Sequence, residues 1–132
     1  PWIDSGNDKA TDDPLTIKSF GHLSIRLHAT EALLERAGEF LDKAQTQTNA
    51  DTVAAASIAV AEVRALSTEI SLAAGSTLFE RAGSQATLAG QGLDRHWRNA
   101  RVHTLHDPVR WKYHAVGTYH LNGTLPARHS WI

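Results

Sequence analysis

The 132-residue chain has no cysteine and no methionine. Without cysteine it can form neither disulfides nor thiolate metal sites, which accords with a cytoplasmic setting. Without methionine, and beginning at Pro1, it is expected to be a piece excised from a longer protein. An excess of one charge is also lacking. Thirteen Lys and Arg face fourteen Asp and Glu, a formal net charge of −1. That balance gives no electrostatic reason to expect DNA, RNA or an acidic membrane as partner. No apolar run approaches the ~20 residues that span a bilayer, and nothing near Pro1 has the form of a signal peptide. Alternating valine- and isoleucine-rich segments are missing too, so strands are not expected. Internal repeats and low-complexity tracts are absent. A chain of this length makes one domain, residues 1–132. It can bury a core but is small for a whole enzyme with a large cofactor.

What is present is helical periodicity. Residues 1–13 are polar and aperiodic, an entry segment. Asp13-Pro14 has the form of a helix start, with the carboxylate as cap and proline in the first turn. Phe20, Leu23, Leu27, Thr30, Leu34, Ala37 and Leu41 then recur at steps of three and four. They predict one apolar stripe on a long helix, with Glu31, Glu35, Glu39 and Asp42 facing water. Gly38 is expected to permit close approach of a neighbouring helix. Gln45 to Ala50 reads as a turn, and Asp51 or Thr52 as the cap of a second long helix. That helix carries two apolar lines, Val63-Leu66-Ile70-Ala73 and Ile58-Ala65-Leu72-Phe79, beside a polar line of Ser57, Arg64 and Ser71. A helix apolar on two faces needs two packing partners, and the second line is expected to favour self-association. It should end near Ala82-Gly83. A third helix is expected from about Leu93 to His106 and a fourth from Pro108 to about Tyr119. Asn122-Gly123 and Pro126 then mark an irregular tail. Two helices of ~30 residues, each ~45 Å long at 1.5 Å per residue, suit an all-α, up-down bundle.

The richest chemistry lies between Gly83 and Pro108. Gly83-Ser84-Gln85 forms a small polar turn, and Leu93 to His106 crowds arginines, histidines and Trp97 onto one helix. Asp107 is a suitable N-cap and Pro108 a suitable first residue for the next helix. His106 thereby sits at a helix end, where its ring can reach into a cleft. An imidazole there can exchange protons near neutrality.

This pattern resembles the C-terminal four-helix domain of the acyl-CoA dehydrogenase fold over nearly the whole chain. In the dehydrogenases a glycine-rich turn precedes a helix with an Arg-Asp pair, and a catalytic glutamate follows. Here Gly83-Ser84-Gln85 stands at the turn, Arg98-Asn99 at the pair and Asp107 at or next to the glutamate. Ser84 replaces the second glycine, and Asp107 is shorter and followed by Pro108. Both departures argue against acyl-CoA oxidation. The runs Leu93 to Arg101 and His106-Asp107-Pro108 look instead like flavin-dependent monooxygenases of the sulfur-acquisition, dibenzothiophene monooxygenase-like group. That resemblance implies a two-component enzyme using reduced flavin mononucleotide (FMN) from a separate flavin reductase. It would oxygenate small sulfur compounds through a C4a-hydroperoxyflavin. His106 would be the catalytic residue near the flavin, donating or relaying a proton. Gly83, Ser84 and Gln85 would contact the flavin of a neighbouring subunit in a homo-oligomer, a dimer or tetramer built through the bundle. Other flavin contacts would come from domains outside this sequence, so the chain alone should neither bind flavin tightly nor turn over.

Other readings remain beside it. An acyl-CoA dehydrogenase domain would use flavin adenine dinucleotide (FAD), and a non-catalytic oligomerisation module would use no cofactor. His103 and His106 have metal-ligand spacing, but no third ligand stands at a recognised spacing, so no metal is expected. The arginines with Trp97 and Trp111 could stack nucleic acid bases. Neutral charge and tryptophans expected to be buried favour packing, with Arg98 holding the third helix through a carboxylate.

Overall fold

The structure, a computed structural model, describes residues 3–129. Short 3-10 turns at Ile3–Ser5 and Ala10–Asp12 lead into α1 (Pro14–Thr46). Then come α2 (Ala50–Ala82), 3-10 turns at Ser84–Thr87 and Ala89–Gln91, α3 (Asp94–Leu105) and α4 (Arg110–Asn122). No strand occurs among the described residues. The all-α class is therefore as expected.

Local chemistry sets the helix ends. Asp13 accepts from the amides of Leu15 and Thr16, and the Thr16 hydroxyl donates to it at 2.6 Å. That hydroxyl first, and the amides with it, hold the Asp13 carboxyl below its ordinary range. The cap of α2 is Asn49 rather than Asp51 or Thr52. Its side-chain oxygen accepts from Asp51 N and Thr52 N at 3.0 Å, while the Thr52 hydroxyl accepts from Asn49 N. This reciprocal box satisfies more free amides than either predicted cap would alone. Gly83 ends α2 with φ +78°, a conformation that glycine adopts without a Cβ penalty.

Helix α2 is the hub, packing against α1, α3 and α4, one partner more than its two apolar lines predict. Its buried positions include a line invisible to a hydrophobicity reading: Ala54, Ala61, Thr68 and Gly75, seven residues apart. Small side chains let neighbours come close. A Cβ on Gly75 would stand 3.3 Å from Trp97 Cα, so Gly75 is the close-approach glycine. Gly38 has open space around it.

The inward face of α1 is not the predicted stripe. Thr30 and Ala37 are buried and Leu23 is half-buried, but Phe20, Leu27, Leu34 and Leu41 are 43–62% exposed. Long-range ion pairs accompany this rotation. Arg26 reaches Glu69 at 2.8 Å and Arg36 reaches Glu62, both on α2. Helix α4 joins the same carboxylates: Tyr113 donates to Glu69 and His120 lies 3.3 Å from Glu62. Two polar clamps, one heptad apart on α2 and on α4, thus tie three helices together.

Candidate functional site

Helix α3 runs back along α2 and delivers the α3–α4 junction to the middle of the bundle. Trp97 lies against Gly75, and Arg64 of α2 donates to the His103 carbonyl at 2.9 Å. The guanidinium sits at the C-terminal turn of α3, where a cation is favoured. Arg98 does not anchor the helix. It pairs at 2.7 Å with Asp94, four residues away on the same exposed face. Trp97 and Trp111 are 40% and 58% exposed rather than buried. Helices α3 and α4 each pack against α2.

His106 follows the last residue of α3, and the chain turns through residues 106–109 before α4 begins. Its ring is exposed, and its side chain makes no hydrogen bond among the described residues. Asp107 and Pro108 line a half-open cavity of about 490 Å³ whose walls also include Trp111, Ala115, Pro126 and Ala127. His106 itself is not among the lining residues. Asp107 is not the cap of α4. Val109 occupies that position, with no side-chain hydrogen bond. The Asp107 carboxylate pairs instead with Lys112 at 2.9 Å. Lys112 was not recognisable from sequence, because its burial follows from how α4 docks and not from any local pattern.

Gly83-Ser84-Gln85 lies at the far end of α2. Ser84 and Gln85 are exposed, and neither side chain is hydrogen-bonded among the described residues. Because Arg64 marks the level of His103, the turn and His106 are separated by roughly 25–30 Å of helix at 1.5 Å per residue. One chain therefore does not bring the two elements together. No cluster of three metal-ligating side chains occurs among the described residues, and no helix there is long and apolar enough to cross a membrane.

The fold is an all-helical bundle with α2 as its hub and a histidine on the turn between its two short helices. The family model for the acyl-CoA dehydrogenase C-terminal domain matches residues 3–111, and the chain belongs to that family. Among curated relatives, the dibenzothiophene monooxygenase of Rhodococcus erythropolis is 39% identical over 130 residues. The probable FMNH2-dependent monooxygenase SfnC of Pseudomonas putida is 34% identical over 130 residues. Each alignment covers 96% of this chain and about a third of the relative (31% and 33%). Two solved structures superpose along the full chain. Methanesulfinate monooxygenase MsuC of Pseudomonas fluorescens does so with TM-score 0.93 and 32% identity, covering 35% of that protein. FMN-bound TdsC of Paenibacillus sp. A11-2 does so with TM-score 0.92 and 30% identity, covering 34%. Three of these relatives are named as monooxygenases, one of them as FMNH2-dependent, and the TdsC structure is FMN-bound.

Proposed function

We propose that residues 1–132 form the C-terminal helical domain of a two-component, FMN-dependent monooxygenase acting on small sulfur compounds. The observation that carries this reading is the likeness, along almost the whole chain, to relatives named as monooxygenases of dibenzothiophene and methanesulfinate. The reduced flavin, delivered by a partner reductase, would supply the redox chemistry when bound. The chain itself contributes binding and proton handling. His106 holds or passes a proton through a ring nitrogen, and its exposed position on a turn leaves that nitrogen accessible. Ser84 and Gln85 offer hydrogen bonds to flavin oxygens, with Gly83 shaping the turn.

The separation of these two elements bears on assembly. They are too far apart to touch one reacting ring from the same subunit. In this reading His106 serves its own subunit's flavin, and Gly83-Ser84-Gln85 serves a neighbour's. A homo-oligomer, a dimer or tetramer, follows. The exposed apolar line of α1, rather than the second line of α2, offers a surface for it. Ile58 and Ala65 of the α2 line are already buried inside this chain.

The test uses the full-length protein with reduced FMN, oxygen and a sulfone, sulfinate or thiophene. His106→Ala should lower product formation by about a hundredfold, the usual scale for loss of a positioned proton donor. Turnover by His106→Ala within twofold of the parent would remove the assignment.

A further inference from the structure

Lys112 occupies a position that helix stability does not explain. It is the third residue of α4, where the exposed amides make the helix end positive and a cation unfavourable. It is also 5% exposed, and burying an ammonium costs free energy unless it is paired. One partner is the Asp107 carboxylate at 2.9 Å, itself mostly covered. Asp107 lies next to His106, inside the turn that joins α3 to α4. That turn has no side-chain cap to fix it, since the N-cap position of α4 is taken by Val109.

We propose that Lys112 is a positioning residue for the His106 site. By gripping Asp107 across the turn, it fixes the backbone that presents the imidazole. The inference rests on the assignment of His106 made above. A hydrated side chain at this place would leave residues 106–109 free to sample several conformers. A buried ammonium–carboxylate pair has one short-range geometry, and it penalises every conformer that separates its charges in a dry environment. The pair also occupies Asp107, keeping its carboxylate turned toward α4. The cost of placing a lysine here is thereby matched by a defined orientation of the adjacent ring, where a displacement of about 1 Å can lower a rate a hundredfold.

The experiment compares Lys112→Met, Asp107→Asn, their double variant and Lys112→Arg in the full-length enzyme. Amide hydrogen exchange and steady-state kinetics are both read. Lys112→Met should speed exchange in residues 105–111 by about tenfold or more, while α1 and α2 keep their protection. It should lower kcat about tenfold to a hundredfold, with KM for the sulfur compound within about twofold. Lys112→Arg, which keeps the charge, should recover most of both. The double variant should lose no more than either single one, as expected of two groups acting as a unit.

Unchanged exchange and unchanged kcat in Lys112→Met overturn the proposal. So does faster exchange spread over all four helices with kcat per folded enzyme retained, because that describes a residue serving the fold alone. If Lys112→Met fails to fold, Asp107→Asn carries the same comparison. Failure of the underlying reading looks different. His106→Ala would then be silent in turnover, while Lys112→Met would still loosen the turn.

Discussion

Glu69 shows how much one side chain can organise. Its carboxylate receives Arg26 from α1 and the Tyr113 hydroxyl from α4. Burial first, and the carboxylate acceptor second, push the Tyr113 hydroxyl up to about 12. The folded state therefore prefers the protonated phenol. Its contribution to stability is complete below the ordinary tyrosine value of about 10 and is lost as pH rises from there to about 12. An ultraviolet difference titration of parent against Tyr113→Phe should isolate one tyrosine with a midpoint near 12. A midpoint near 10 would break the link to Glu69. At neutral pH Tyr113→Phe should cost only about 0.5–1 kcal/mol, because the hydroxyl's surroundings are partly solvated.

Among the elements, α3 is the most instructive, because it is held by few contacts and carries the candidate site on its end. Its grip on α2 depends on the missing side chain of Gly75. A Cβ there would press on the backbone of Trp97 at 3.3 Å. Gly75→Val should cost about 1–3 kcal/mol through overpacking, despite removing a glycine from a helix interior. Hydrogen exchange should rise along α3 and leave most of α1 protected. Exchange in α3 equal to that of the parent would show that the close approach is not what seats the helix. The element also explains why sequence placed the Arg98 contact wrongly. An arginine four residues after an aspartate on a helix has a partner at hand, so it needs no second element.

At the scale of the whole molecule, the proposed assembly rests on the exposed line Phe20, Leu27, Leu34 and Leu41 on α1. Four large apolar residues at heptad spacing on one solvent-facing side are more than scattered surface hydrophobes. The paired substitution Leu27→Glu with Leu34→Glu should leave the fold of each subunit intact, since both positions are exposed. It should lower the sedimenting mass of the full-length protein and weaken flavin binding with it, since each flavin would lose a neighbour's Gly83-Ser84-Gln85. An unchanged mass would place the assembly surface elsewhere.

The sequence alone determined the features that depend on neighbours along the chain. Asp13-Pro14 starts α1 and Gly83 ends α2 because capping and positive φ are local chemistry. Four helices follow from period and punctuation, and the Leu93 to Pro108 run carried the family resemblance. Tertiary structure decided what lies between elements. Period alone shows that Leu23, Leu27, Thr30 and Leu34 share a helical side. Which edge of that side turns inward depends on how α1 meets α2, where Arg26 and Arg36 reach Glu69 and Glu62 across more than twenty residues. The small-residue line on α2 and the burial of Lys112 likewise depend on a neighbour's backbone arriving from elsewhere in the chain. Local free energies fix where a helix begins and ends, but its rotation is fixed only by the groups it meets.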